Sequence, residues 1–268
     1  MLASRPNSIE QLLRPAIAAS ALILTLCAAH LAGAQDVKPA DTATYTLSQR
    51  LFKAGDVSRY KLTMRGQDSS VNLQYKETTK EAGVGGTFTL LDQFESATAN
   101  VGGTEQDFSA FLPTITITRD KAGKLTSKAE GGAEQASAQI SAMLQSFATM
   151  QNAYLPKTPV KVGDTWKVTS STPGPTGGAV TSKGDATLIG TEVIFGVKSV
   201  KIKIVGDVDT KEGDIKAHSE ALLNLVPETG KLLKMTTKVD GTTKGMKVSQ
   251  ELEMTLLPAD KAAVPEKK

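Results

Sequence analysis

Reactive side chains are scarce in this sequence: its 268 residues include one cysteine, Cys27, one tryptophan, Trp166, and two histidines, His30 and His218. A single thiol cannot close an internal disulfide, so the core must be held by packing, which a chain of this length can supply. Structural zinc needs several Cys or His ligands, and that supply is missing. The run Asp207-Val208-Asp209-Thr210-Lys211-Glu212-Gly213-Asp214 opens like a calcium loop, but Lys211 falls on a ligand position and the glycine comes one place late. It reads as a charged hairpin turn. A catalytic triad could draw on His218, yet no Gly-x-Ser-x-Gly elbow accompanies it, and it reads as a solvated strand histidine. The stretch from Thr172 to Gly178 is rich in glycine but lacks the Gly-Lys-Ser/Thr ending that grips phosphates. No catalytic residue, no metal ligand and no cofactor is assigned.

Charge of one sign is lacking too. Lysine and arginine number 31 against 28 acids, a net of +3, with the two signs interspersed. Nothing in that balance points to nucleic acid as a partner.

What is present begins with an export signal. Arg5 and Arg14 give a positive start, Ala16 to Ala29 is apolar except for Ser20 and Thr25, and Ala32-Gly33-Ala34 matches a small-residue cleavage site. Cleavage is expected between Ala34 and Gln35, placing the mature chain in the periplasm or outside the cell. It would leave 234 residues with one histidine, no thiol and a net charge of +2. The competing reading is an uncleaved anchor, the one route by which the chain would meet a membrane, but His30 and the many alanines make Ala16–Ala34 a poor bilayer span. A lipoprotein signal would need a small residue before Cys27, where Leu26 stands.

Past the signal, apolar residues alternate with polar ones, the period of half-buried strands. Tyr60, Leu62 and Met64 show it, as do Val71, Leu73 and Tyr75; Phe88 and Leu90; Ile115 and Ile117; Val200, Ile202 and Ile204; and Leu252, Met254 and Leu256. Turn chemistry separates them at Ala82–Gly86, Gly102-Gly103, Asp120–Gly123, Glu228–Gly230 and Asp240-Gly241. One segment differs: Ile140, Met143, Leu144, Phe147 and Met150 recur at three and four, predicting a single helix over about 134–152 that Pro156 and Pro159 end.

The chain repeats itself across that helix. Lys53-Ala54-Gly55-Asp56 resembles Lys161-Val162-Gly163-Asp164, and Ala122-Gly123-Lys124-Leu125 resembles Thr229-Gly230-Lys231-Leu232. The expected plan is a mainly β fold of curved antiparallel meander sheets, half-barrel or barrel-like. A first β-module (35–132) and a related second one (156–258) flank the helical segment (133–155), and a disordered tail (259–268) follows. About ten strands present on the order of 1,000 Å² of apolar face, whereas a helix of this length shields roughly 300 Å². The sheet must therefore cover itself or leave a cleft for an apolar guest.

Pro159-Val160-Lys161-Val162-Gly163-Asp164-Thr165-Trp166 resembles a motif of exported β-rich bacterial proteins that share a domain of unknown function. Physically it is a Gly-Asp turn launching a strand whose tryptophan anchors the core. More loosely, a curved sheet clasping a helix is similar to the periplasmic lipoprotein-carrier fold. The expected function is non-enzymatic: binding of a lipid, another apolar ligand or an envelope protein, with Ile140, Met143, Leu144, Phe147, Met150 and Trp166 as the candidate contacts. A structural or adhesive module with a filled core is one alternative. A carboxylate-dependent hydrolase is another, and it would need two acids facing each other across a cleft.

Overall fold

In the computed structural model the described residues are 42–132, 137, 140, 141, 143–145, 147, 148, 154–173, 179–210, 215–243 and 246–258. The expected signal, Met150, the end of the glycine-rich loop, residues 211–214 of the charged turn and the tail lie outside them.

Among the described residues the architecture is mainly β, one large curved antiparallel sheet with a single short α-helix and no closed barrel. A first run comprises β1 (Thr44–Tyr45), β2 (Val57–Arg65), β3 (Ser69–Ala82), β4 (Phe88–Val101), β5 (Thr104–Asp107), β6 (Thr114–Arg119) and β7 (Leu125–Glu130). After helix α1, helical at each of its described positions between 137 and 148, come β8 (Val160–Lys161), β9 (Thr165–Pro173), β10 (Ala179–Ile194) and β11 (Val197–Thr210). Strands β12 (Ile215–Leu225), β13 (Leu232–Thr243) and β14 (Met246–Leu256) complete the chain's order. The main sheet runs β7-β6-β4-β3-β2-β14-β13-β12-β11-β10-β9, with β5 beside β4, while β1 and β8 pair separately. Each wing is a meander of hairpins, and the wings join where β14 pairs with β2.

Alternation places one set of side chains inward. Leu62, Ile115, Ile202 and Leu252, from four strands spread over both wings, are each at most 1% exposed. They belong to one apolar cluster that also takes Ile140, Met143, Leu144 and Phe147 from α1. The outward set is polar and paired, as in Arg59–Glu95 and Lys203–Glu220.

The two Gly-Asp turns share one geometry. Gly55 N–H donates to Thr79 O while Thr79 N–H donates to Asp56 O; in the second wing Gly163 N–H donates to Leu188 O and Leu188 N–H to Asp164 O. Both glycines have strongly positive φ, +88° and +96°, a conformation that costs glycine little. One turn expectation fails: Asp240-Gly241 lies within β13. A Cβ at Gly241 would collide with Ala217 and the Lys216 carbonyl across the sheet, so this glycine permits close strand approach rather than a turn.

Candidate functional site

Three strands bring an unusual polar row to the inward face. On β3 the inward positions run Val71, Leu73, Tyr75, Glu77 and Thr79, all buried. On β4 they run Phe88, Leu90 and Asp92. Glu77 pairs in register with both Ser58 of β2 and Asp92 of β4, so two carboxylates sit directly opposite each other, an arrangement that repels. The adjoining row is aromatic: Tyr60 and Tyr75 stack with centroids 5.4 Å apart, and Phe94 lies 5.7 Å beyond.

The countercharge comes from outside the main sheet. Arg50 lies on the extended strap between β1 and β2, and its guanidinium grips Glu77 at both oxygens, Nη1 to Oε2 at 3.2 Å and Nη2 to Oε1. Both side chains are under a tenth exposed. The strap is clamped by the β12–β13 turn: Ser48 N–H donates to Pro227 O at 3.0 Å and Leu51 N–H to Thr229 O at 2.8 Å. Arg50 also stacks on Phe52, 4.6 Å from its centroid. A turn of the second wing thus holds the arginine that neutralises an acid of the first.

Burial would weaken the Arg50 cation, but Glu77, with Tyr60 and Tyr75 adding to it, outweighs that effect and holds the guanidinium more firmly protonated than usual. Asp92 is pushed well above the ordinary carboxylate range by burial and then by Glu77, with Arg50 opposing. Burial raises Tyr60 to about 12, and burial with the nearby Asp92 raises Tyr75 well above its usual value. Burial lowers the pKa of Lys231, in the clamping turn, with Arg50 adding to the effect.

Above this row lies a cavity of ≈ 20 Å³, walled by Tyr60, Tyr75, Leu90 and Asp92 and roofed by Leu144 and Phe147. A single water needs about 10–15 Å³, so the space suits a water or two. Asp92 Oδ1 is buried there without a hydrogen-bond partner, whereas nearly all buried polar atoms in folded proteins are satisfied; the Tyr60 hydroxyl beside it has Ser58 as its neighbour.

The sequence-predicted contacts divide. Leu144 and Phe147 roof the cavity, and Ile140 and Met143 are buried in the same apolar cluster. Met150 lies outside the described residues. Trp166, on the edge strand β9, packs against the core and donates its indole N–H to Tyr154 O at 2.9 Å, away from the cavity. His218 is half-exposed on β12, its Nδ1 3.4 Å from Asp207 Oδ1. Sequence reasoning missed Arg50, Glu77 and Asp92. The signal for the acids was their phase: each continues a run of inward apolar positions at spacing two. Facing acids are what a hydrolase would need, and here Glu77 is held at both oxygens by Arg50.

Asp92 carries a pH prediction. The folded state keeps its proton to higher pH than the unfolded chain does, so above about pH 4 the folded state binds more protons and stability falls as pH rises towards the folded pKa. One such group gives a slope of up to about 1.4 kcal/mol per pH unit. Asp92→Asn, a neutral isostere, should flatten the decline and leave the protein more stable at pH 7; urea unfolding from pH 4.5 to 7.5 measures both. An unaltered slope would contradict the assignment.

The fold and site define a class: a β-rich chain with an open curved sheet, one covering helix and a buried polar row beneath it. No family model matches the chain, and no curated protein sequence does. Among solved structures it is similar to the hypothetical lipoprotein YmcC of Escherichia coli, at 12% identity and a TM-score of 0.31 over 75% of this chain and 84% of that one. It is also similar to a DUF1329 family protein of Desulfovibrio piger, at 10% identity and a TM-score of 0.27 over 75% and 82%. A candidate exported protein with YmcC-like fold from Bacteroides fragilis matches at 6% identity and a TM-score of 0.26, over 81% and 100%.

Proposed function

We propose that this chain is an exported envelope protein, a duplicated β-module without catalysis of its own, that holds an apolar molecule between sheet and helix. The guest's polar end would sit at Asp92 and Tyr60. The observation that carries the reading is an unpartnered buried carboxyl oxygen, Asp92 Oδ1, beside a cavity beneath α1 that Tyr60 also lines. A hydroxyl or amide at the end of a lipid-like chain would satisfy it. The cavity is too small for the whole guest, so α1 must lift, turning Leu144 and Phe147, with Ile140 and Met143, into an apolar wall. Export rests on the signal-like residues 1–34.

Uptake of a fluorescent long-chain alcohol tests this. Wild-type protein should bind it saturably, and Asp92→Ala should weaken binding about tenfold, the worth of one buried hydrogen bond. Absence of saturable uptake would contradict the reading. An interaction module with a filled core is the second reading, favoured by the small cavity volume and by inward side chains such as Leu62 and Ile204 that are wholly buried.

A further inference from the structure

The β10–β11 hairpin outruns the sheet. β10 pairs with β9 only as far as Thr187↔Thr165, and β11 meets β12 only from Val200↔Leu225 onward. Beyond these points the hairpin pairs with itself through Glu192↔Ser199, Val193↔Lys198 and Ile194↔Val197. Ser199 is fully buried, so the two outer rungs project, about 7 Å at a rise of ~3.4 Å per residue. Their base is fixed: Ser199 Oγ donates to Glu192 O at 2.9 Å, and Asn224 Nδ2 donates to Glu192 Oε2 at 3.2 Å and to Ser199 Oγ at 3.3 Å.

The projecting end carries apolar side chains on both faces, with Lys198 opposite Val193 on one of them. Val193 is 67% exposed, Phe195 54% and Val197 41%. The rungs put Val193 on one face, Ile194 and Val197 on the other, and Phe195 at the apex. Phe195 has φ +51° and Gly196 +77°, the left-handed pair of a tight hairpin turn where Asn-Gly is favoured. A bulky aromatic is strained there. The turn therefore keeps an exposed phenyl ring where a small polar residue would fold more easily, so the ring's benefit lies in what it meets outside the fold.

The neighbouring loops agree. Antiparallel pairing places the strap, the start of β2 and the β3–β4 turn at the same end of the sheet as this tip, and Leu51, Val57 and Val84 are exposed there, Val84 almost entirely. Among the described residues Phe111 is the one large exposed apolar side chain placed elsewhere. The opposite end turns on Gly66-Gln67-Asp68 and Gly102-Gly103.

We propose that this end of the sheet rests on a lipid bilayer, with Val193, Phe195 and Val197 inserted into its interface. A protein groove would match one face of a hairpin, whereas lipid surrounds an apolar tip on both faces. The reach of about 7 Å fits the ~5–10 Å depth to which interfacial elements bury. Lys198, on the rung of Val193 and 5.6 Å from the Tyr45 ring centroid, reaches back along its long stem, and Lys201 lies nearer the base; both put a cation at headgroup height, where long cationic side chains favour anionic lipid. Lys201 also pairs with Glu192 at 3.5 Å.

The test is co-sedimentation with phosphatidylethanolamine–phosphatidylglycerol vesicles, using protein expressed from the full chain and recovered from the soluble fraction. Wild type should partition. The triple variant Val193→Ser, Phe195→Asn, Val197→Thr should partition at least about tenfold less, and Phe111→Ser at the other end should match wild type. Phe195→Asn alone relieves the backbone strain, so its melting temperature should equal or exceed wild type's, which separates lost binding from lost folding. Failure of wild type to partition, equal partitioning by the triple variant, or binding only to vesicles carrying membrane proteins would each overturn the proposal.

Discussion

Replacing Arg50 by alanine should destabilise the protein by about 3–5 kcal/mol, the usual cost of stripping one partner from a buried ion pair. The figure reflects what is left behind. Glu77 would remain in the interior, directly opposite Asp92, with nothing to offset its lost hydration. The double variant Arg50→Leu, Glu77→Leu removes both charges and should lie within about 1 kcal/mol of wild type or above it, since buried pairs replaced by apolar residues are often neutral or stabilising. Urea unfolding of the single and double variants measures the contrast. A double variant as unstable as Arg50→Ala would mean that Arg50 acts through packing on Phe52 rather than through the acid.

The second large effect lies in the turn that positions this arginine. Gly230 has φ +61°, and a Cβ there would lie 2.6 Å from the Arg50 backbone nitrogen as well as overlapping the Ser48 carbonyl. Gly230→Ala must therefore strain the turn and push the strap away, at an expected cost of about 3 kcal/mol or more. Gly102→Ala is the matched control: φ is +58° and nothing lies within 4 Å of the added carbon, so it should cost only the left-handed penalty of about 1–2 kcal/mol. Thermal or urea unfolding of the two variants reads the difference. Equal losses would show that the strap is not held by close contact at Gly230.

The strands were legible because each wing is a meander, in which a local period of two and nearby turn residues suffice. Leu73 and Ile202 were read as strand positions on that basis and are buried inward. The pairing of β14 with β2 was not legible, because it joins Leu252 to Met64 across most of the chain and no local pattern encodes it. Asp240-Gly241 was misread for a related reason: the glycine answers to Ala217 on the neighbouring strand, a contact that the residues beside it do not reveal. At the site, α1 was found through its apolar stripe, but the polar floor was not. Alternation shows in its apolar members, and Glu77 and Asp92, which occupy the same inward phase, are not among them. Arg50 belongs to no periodic element, and its role depends on a turn some 180 residues away.

The central claim is that the polar row beneath α1 receives the end of an apolar guest. Native mass spectrometry of protein purified gently from its own host tests it most directly. The account predicts a bound species of lipid-like mass on wild-type protein that is lost or much reduced in Asp92→Ala while the fold persists. Wild-type protein that is consistently free of any adduct, or an adduct held equally by Asp92→Ala, would contradict it.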